Sequence, residues 1–280
     1  MNQTRPTISQ DEQNAEPGAS KSPLAPAPGL KQYFETEADR RDRTREMFDG
    51  GASGYDKAEW LTGLGVGPWY RRHVLKNMGL KPGQAVLDVA IGTGLVAQEI
   101  QKLIQPGGEL VGLDPSPGML AEAKRKLDIE TIEGYAESIP LPDDRFDALT
   151  MGYALRHVSR LDAAFAEYLR VLKPGGQACL MEIARPEGKL KRFFAKLYIR
   201  NVVPLLARLS GEKKAVARLW RYYWETIDVC VDAEAIMQAM RDAGFEAVRC
   251  DQTMGLFREY HGTKPRSNAD HPPTRSESQR

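Results

Sequence analysis

The chain is poor in cysteine and almost free of charge imbalance. Its three cysteines, Cys179, Cys230 and Cys250, are too few and too widely spaced for a disulfide framework or a zinc cluster. They read as reduced packing residues of a cytoplasmic protein, and no metal is expected. Lys and Arg number 39 against 38 Asp and Glu, a formal charge of +1. That balance excludes the global field of a nucleic-acid-binding protein, so any charged partner surface is local. No apolar run approaches the ~18 residues of a membrane span, and MNQTRPTISQDEQ lacks the apolar core of a secretory signal. What is there, 280 residues that are 41% hydrophobic, suits one sizeable core.

Residues 1 to about 30 hold no aromatic residue and are rich in Gln, Pro, Ala and Ser; KPRSNADHPPTRSESQR has the same character. Neither stretch can bury enough surface to offset the entropy of ordering, so 1–30 and 263–280 are expected to be disordered tails. Between them lie a helical segment over 31–80, alternating strands and helices over 81–188, a basic helical insert over 189–230, and a closing helix with two strands over 231–262.

Within the alternating region, Pro82-Gly83 turns the chain into AVLDVA, a short strand buried on both faces. The run breaks at Gly92-Thr93-Gly94 and resumes as the helix LVAQEIQKLI. A second strand, ELVGLD, ends at Asp114, and Pro115 with Gly118 opens the helix MLAEAKRKL. DIETIEG, FDALTMGY and QACLMEIA read as strands three to five, with the helix RLDAAFAEYLRVL before the last. Strands separated by helix-length segments imply parallel pairing with right-handed crossovers. The expected fold is α/β, a doubly wound, mostly parallel seven-stranded sheet. Ligands of such sheets sit outside the carboxyl ends of the strands, which gathers Asp88, the loop from Gly92 to Gly94, Asp114, Tyr135, Ala136, Gly152 and Tyr153 around one crevice.

GTGLVA satisfies the dinucleotide pattern GxGxx(G/A), and Asp114 lies roughly 20 residues on, as that fingerprint requires. A nucleotide-dependent oxidoreductase is the first reading to test. A pyrophosphate wants backbone N–H donors and the positive end of a helix, and a carboxylate just before the loop, Asp88, repels it. S-adenosylmethionine makes the opposite demand, because it carries a sulfonium and an ammonium. Asp114 can accept the ribose hydroxyls of either cofactor and does not discriminate. The later segments do, since AESIPLPDD and VLKPGG match the pattern that follows the glycine loop in doubly wound methyltransferases.

In order and spacing, MFDGGASGYDKAEWLTGLGVGPWYRR, VLDVAIGTG, LVGLDPSPGMLAEAKRKL, AESIPLPDDRFDALTMGYALRHV and YLRVLKPGGQACLMEIARP resemble the ubiquinone/menaquinone biosynthesis C-methyltransferase family, from 44 to 184 and more weakly to 262. The resemblance implies a Rossmann-like class I methyltransferase fold with S-adenosyl-L-methionine as cofactor. The helical N-terminal segment becomes a lid, and the insert over 189–230 lies over the acceptor pocket. Carried over by position, cofactor contacts fall on Thr93, Asp114, Tyr135, Ala136 and Gly152, with Gly92 and Gly94 shaping the loop. Three positions depart from the usual pattern: Leu95 where an Asp often follows the loop, Tyr135 where Asn or Asp often precedes the Ala, and Gly152 where Ser is common. Stacking on Tyr135 and backbone groups then replace side-chain hydrogen bonds at the adenine edge. The C-terminal third departs further and leaves the acceptor open: a lipid quinol, a phospholipid headgroup amine or a secondary-metabolite phenol.

Methyl transfer to a ring carbon needs alignment, dryness and an adjacent hydroxyl ionised by a base or a stabilising cation. Arg156 and His157, just after strand four, are the candidates. Arg156 would stabilise a phenolate-like anion, since its pKa is too high for a base; the plainer reading pairs it with an acid. His157, ordinarily near ~6.5, is the better proton acceptor, or else it only caps the loop. Tyr55, in the Gly54-Tyr55-Asp56 stretch that matches the family's Tyr-Asp motif, would hydrogen-bond the acceptor hydroxyl.

In the insert, Lys and Arg residues from Lys189 to Arg221 face only Glu212 and Glu225, while Phe193, Phe194, Leu197 and Val203 supply an apolar side. The preferred reading is a lid whose apolar side covers the pocket. The alternative is peripheral contact with the inner face of a membrane through 189–221, which would suit a lipid-quinol acceptor. A homodimer is compatible with the sequence, as is a cofactor-binding regulator without activity, although the intact glycine loop and Arg156 argue against the latter.

Overall fold

The computed structural model of the chain describes residues 25–27, 36–63, 65–186, 188–205 and 214–266. In β1 (Ala85–Val89), Val86, Leu87 and Val89 are wholly removed from solvent, each side chain contributing roughly 1.5–3 kcal/mol of burial free energy. Burial on both faces requires a central position in a sheet. The observed order is β3-β2-β1-β4-β5-β7-β6. β2 (Glu109–Asp114) and β4 (Phe146–Gly152) flank β1 in parallel, with Val111 and Leu149 opposite Leu87 on its two sides. β3 (Glu130–Glu133) and β5 (Leu172–Ile183) extend the parallel pairing, and β7 (Phe257–Thr263) enters antiparallel between β5 and β6 (Glu246–Thr253). The chain runs outward from β1 to β3 and then crosses back to β4, so the switch point opens between β1 and β4.

Helices α2 (Val66–Met78), α3 (Leu95–Ile104) and α4 (Pro117–Lys126) share one core with Val86, Leu110 and Ala148. α5 (Leu161–Val171) and α8 (Ala233–Ala243) share the other with Leu87, Leu113 and Leu149. Helix starts follow the sequence: Ser116 accepts from the Met119 N–H at 3.1 Å, and Asp232 from the Ala235 N–H at 2.8 Å.

A helical roof stands over the carboxyl ends of the strands. α1 (Glu37–Gly63), the π turn Tyr198–Val202 and α7 (Lys214–Val229) meet in a small core of Val203, Leu219, Trp220, Tyr222 and Tyr223 with Met47, Phe48 and Tyr55. The glycines of DGGASG do not break α1. Gly51 lets α7 approach, since a Cβ there would stand 3.0 Å from Leu219 Cδ2.

Four boundaries differ from the sequence expectation. β3 begins two residues later than DIETIEG because Asp128 and Ile129 stay in the connection, and this edge strand pairs only with β2. β5 begins five residues earlier than QACLMEIA because KPGG bulges within the strand, where Lys264 N–H donates to Gly176 O at 2.8 Å and Gly175 N–H to Lys264 O at 2.9 Å. Inside the expected N-terminal tail, Pro26 and Ala27 are buried, and Pro26 O accepts from the Val231 N–H at 2.8 Å. Inside the expected C-terminal tail, Lys264 donates to Asp144 at 2.6 Å. Residues 1–24 and 267–280 lie outside the described residues.

Candidate active site

The ends of β1, β2 and β4 meet α1 and α7 around a cleft of about 1070 Å³, mouth included, large enough for a cofactor with a small acceptor. Ile91, Leu95, Val96, Leu113, Met119 and Met151 give it apolar walls. Of the expected cofactor residues, Gly92, Thr93, Asp114, Tyr135, Ala136 and Gly152 lie on those walls.

At the tip of β2, Asp114 accepts from the Gly92 N–H and from the Ser116 N–H, both at 2.9 Å. Burial pushes its carboxyl up to about 6, against those two backbone hydrogen bonds. When ionised it is acceptor-only with lone pairs to spare, which fits the two hydroxyls of a ribose. Gly152, at the end of β4, has no room for a side chain: a Cβ would stand 2.6 Å from Val96 Cγ2. This explains the departure from Ser at that position, since Val96 already fills the space. Tyr135 carries the Arg41 guanidinium 5.3 Å from its ring centroid, a cation–π contact that fixes the ring at the cleft edge.

Two expected cofactor-site residues sit elsewhere. Gly94, at φ 86°, backs onto Leu127 and is not part of the wall. Asp88 is also off the wall: it is buried beneath the loop and accepts from the Thr150 hydroxyl at 2.6 Å. Burial pushes its carboxyl up to about 7, opposed by the hydrogen bond from Thr150. Its charge therefore does not face a ligand, contrary to the argument from sequence. A different observation disfavours a pyrophosphate. The Gly92 N–H is taken by Asp114 and the Gly94 N–H by Ile91 O at 3.0 Å, so the loop does not offer its glycine N–H groups to an anion. An acceptor carboxylate, internally satisfied loop amides and apolar walls fit S-adenosylmethionine.

α1 closes over this half of the cleft through two carboxylates. Asp49 accepts from Ser116 Oγ and from the Gly118 N–H, the latter at 2.9 Å, at the start of α4. Asp56 accepts from Thr93 Oγ1 at 2.5 Å and from Lys126 Nζ.

At the other end of the cleft, Tyr55 from α1 and Tyr223 from α7 bring their hydroxyls within 2.5 Å. Burial raises both phenols above their ordinary value, so both are neutral donors. His157 lies beside them, stacked on Tyr222 with its Nδ1 3.1 Å from the Tyr222 hydroxyl. Its Nε2 is buried without a hydrogen-bond partner. Burial, together with the positive charges of Arg156 and Arg40, holds the imidazole well below its ordinary value, so it is neutral. Arg156 does not reach the wall. It is fully buried, ion-paired with Glu182, donating to Thr226 at 3.0 Å and to Tyr153 O at 2.8 Å, with its guanidinium 4.4 Å from the Tyr223 ring centroid. Burial opposes its charge, and Glu182 together with Tyr223, Tyr55 and Cys230 more than offsets that.

Sequence reading missed Tyr223 and Phe48, both on the wall, and placed Tyr153 at the crevice, where it is found. Tyr223 sits in an aromatic helix of the insert with no local motif to mark it, whereas Tyr153, at φ 60°, follows directly on Gly152. The insert divides in function. α7 supplies Tyr223 to the cleft, but α6 (Lys189–Leu197) contributes no wall residue and leaves Leu190, Phe193, Phe194 and Leu197 exposed. The lid reading therefore applies to α7 and not to α6.

The description ubiE/COQ5 methyltransferase family matches residues 36–264. A ubiquinone/menaquinone biosynthesis C-methyltransferase of Shewanella pealeana is 30% identical over 241 residues, covering 83% of this chain and 95% of that protein. One from Pseudomonas putida is 32% identical over 237 residues, covering 82% and 91%. Among solved structures, a SAM-dependent methyltransferase from Thermotoga maritima superposes with a TM-score of 0.57 at 22% identity, covering 78% of this chain and 99% of that one. Another from Aquifex aeolicus gives 0.55 at 19%, covering 75% and 97%. At those identities the structural likeness speaks for the fold alone. With the family match spanning the whole cleft, the chain belongs to the ubiE/COQ5 methyltransferase family and is an S-adenosylmethionine-dependent methyltransferase.

Proposed function

We propose that the chain methylates a ring carbon of a demethylated quinol precursor. The observation that carries this reading is the cluster of Tyr55, Tyr223 and His157 at one end of the cleft, neutral proton-exchanging groups walled by Phe48. The C-methylating relatives of quinone biosynthesis support the same acceptor.

The bound donor supplies an electrophilic methyl group on a sulfonium. The protein's part is to orient, dry and charge the acceptor. Aromatic walls take a flat ring by stacking or edge contacts, and α1 with α7 excludes water. The acceptor's hydroxyl donates to His157 Nε2 and gives up its proton there as the new carbon–carbon bond forms, when that hydroxyl becomes strongly acidic; Tyr222 holds Nδ1. One of the Tyr55 and Tyr223 hydroxyls donates to the other, leaving the second to donate to the oxyanion. Arg156 is a positioning residue, its buried charge behind Tyr223 stabilising that anion from the second layer. With the donor bound, the carbon–carbon bond would form as the carbon–sulfur bond breaks; the ring carbon's hydrogen would then leave to solvent as the one net proton, and His157 would return its proton to the acceptor oxygen.

The chain meets this acceptor at the inner surface of a membrane. No helix among the described residues is long and apolar enough to cross one, so contact is peripheral, and α6, with its exposed apolar residues between lysines, is the supporting feature.

The test is transfer of label from methyl-labelled S-adenosylmethionine to a membrane lipid extract. Label in the neutral quinone fraction is expected; label in aminophospholipid would reject the acceptor. Asp114→Ala should lose the activity together with about 1.5–3 kcal/mol of affinity for S-adenosylhomocysteine, the range for hydrogen bonds to a charged group.

A further inference from the structure

A second cavity, about 1110 Å³ and open to solvent, lies at the foot of α6, away from the methyl-transfer cleft. Cations dominate it: Arg185, Lys189, Arg192 and Arg258. The acids among its described residues are engaged elsewhere, Glu182 with Arg156 and Asp232 with the Ala235 N–H. Of the cations, Arg192 pairs with Asp228 at 2.7 Å. Arg185 donates, among the described residues, to the Asp228 carbonyl at 3.4 Å.

The same helix carries an apolar ridge. At about 100° per residue, Leu190, Phe193, Phe194 and Leu197 fall within an arc of roughly 100°. All four are exposed, Leu190 at 70% and Phe193 at 59%. Lys189, Lys196 and Arg192 follow on one flank of that arc and Lys191 on the other, while Ala195 points back toward the protein. Lys189 and Arg192, on the cavity flank, therefore stand beside an exposed apolar ridge, the arrangement of an interfacial helix.

We propose that this cavity is a binding site for the phosphate headgroup of an anionic phospholipid, seated while the α6 ridge enters the acyl boundary. The proposal rests on the membrane reading above and gives it a defined ligand site. Charge complementarity selects the occupant: guanidinium groups match phosphate oxygens in paired hydrogen bonds. The adjacent ridge selects a phosphate that carries acyl chains over a free one. Docking at this point holds the chain at the surface from which a lipid quinol is drawn.

The test is sedimentation of the full chain with phosphatidylcholine vesicles, with and without phosphatidylglycerol. Wild type should bind the phosphatidylglycerol vesicles and bind phosphatidylcholine alone weakly. Removing two cavity cations, Arg185→Ala with Lys189→Ala, should weaken binding roughly thirtyfold. Removing two α6 cations outside the cavity, Lys191→Ala with Lys196→Ala, should cost only about a few-fold. Equal losses in the two pairs would mean diffuse attraction and overturn the headgroup site while leaving the membrane reading intact. Phe193→Ser with Phe194→Ser should abolish binding; unchanged binding there would sink the membrane reading itself. Inorganic phosphate titrated calorimetrically is the remaining arm. Binding of phosphate through Arg185 and Lys189, with vesicles ignored, would reassign the cavity to a free anion and overturn the lipid. Every variant should keep the wild-type affinity for S-adenosylhomocysteine and the wild-type Tm.

Discussion

Tyr223 is the residue on which the reaction end of the cleft turns, because it joins the Tyr55 hydroxyl to the guanidinium of Arg156. Tyr223→Phe keeps the ring and the packing but removes the hydroxyl. It should lower kcat by about 10- to 100-fold, at the lower end of what one positioned proton-exchanging group contributes. S-adenosylhomocysteine affinity should stay within about twofold, because Tyr223 lies outside the Asp114 half of the cleft; a tenfold loss of that affinity would place Tyr223 on the donor. Gly152 makes a second residue-scale case. Gly152→Ala puts a methyl group 2.6 Å from Val96 Cγ2, and overpacking of this kind costs typically 1–3 kcal/mol. Adding Val96→Ala vacates the contact and should restore most of the lost Tm and cofactor affinity. Failure of the double variant to recover would show that the Gly152–Val96 contact is not the constraint.

Among the elements, α1 is the one whose position must be explained, because it supplies Tyr55 and Phe48, and polar anchors tie it down along its length, from Arg40 on the Arg156 carbonyl and Arg45 on Glu133 to Asp49 and Asp56. Asp49 at the start of α4 is the strongest, combining a helix N-terminus with a backbone N–H acceptor role. Asp49→Ala should cost about 0.5–2 kcal/mol. Faster amide exchange should appear along α1 together with a higher KM for the donor; exchange unchanged in α1 would show that the lid is held by its apolar contacts with α7. The core elements were legible from sequence because period and punctuation agree there: the helix LVAQEIQKLI and the strand ELVGLD have the expected ends. Two things were not legible. The KPGG bulge reads as a turn locally, and only pairing with Lys264, far along the chain, keeps it in the strand. Asp88 reads as a charge at the loop, but strand alternation points it into the helix layer, where burial overrides its ordinary ionisation. Asp114 and Gly152 could be found because a strand's last residue faces the crevice wherever the sheet is doubly wound, and Tyr135 because it follows two residues after the end of β3. Tyr223 could not, since its place depends on how α7 folds back onto α1.

For the whole molecule, two buried carboxyls shape the pH dependence of stability. Asp88 and Asp114 are raised from 3.8 to about 7 and about 6. The folded chain thus binds these protons more tightly than the unfolded chain. Their contribution is fully present below about pH 4 and is lost as pH rises toward 7. Asp88→Asn keeps an acceptor for Thr150 and removes the ionisation. It should raise the Tm at pH 8, by an amount corresponding to about 3–4 kcal/mol, and leave it nearly unchanged near pH 3.5. An equal shift at both values would show that Asp88 does not titrate in this window. The roof of α1 and α7, the sheet and the cleft between them together make one claim: that the chain builds a carbon–carbon bond on a quinol ring. The most direct measurement supplies the purified protein with S-adenosylmethionine bearing a deuterated methyl group and a reduced, demethylated quinol, and locates the label by mass spectrometry and NMR. The account predicts one deuterated methyl on a ring carbon, retained when the quinone hydroxyls are freed of any ether. Label on oxygen, or no transfer while S-adenosylhomocysteine still binds, would contradict it.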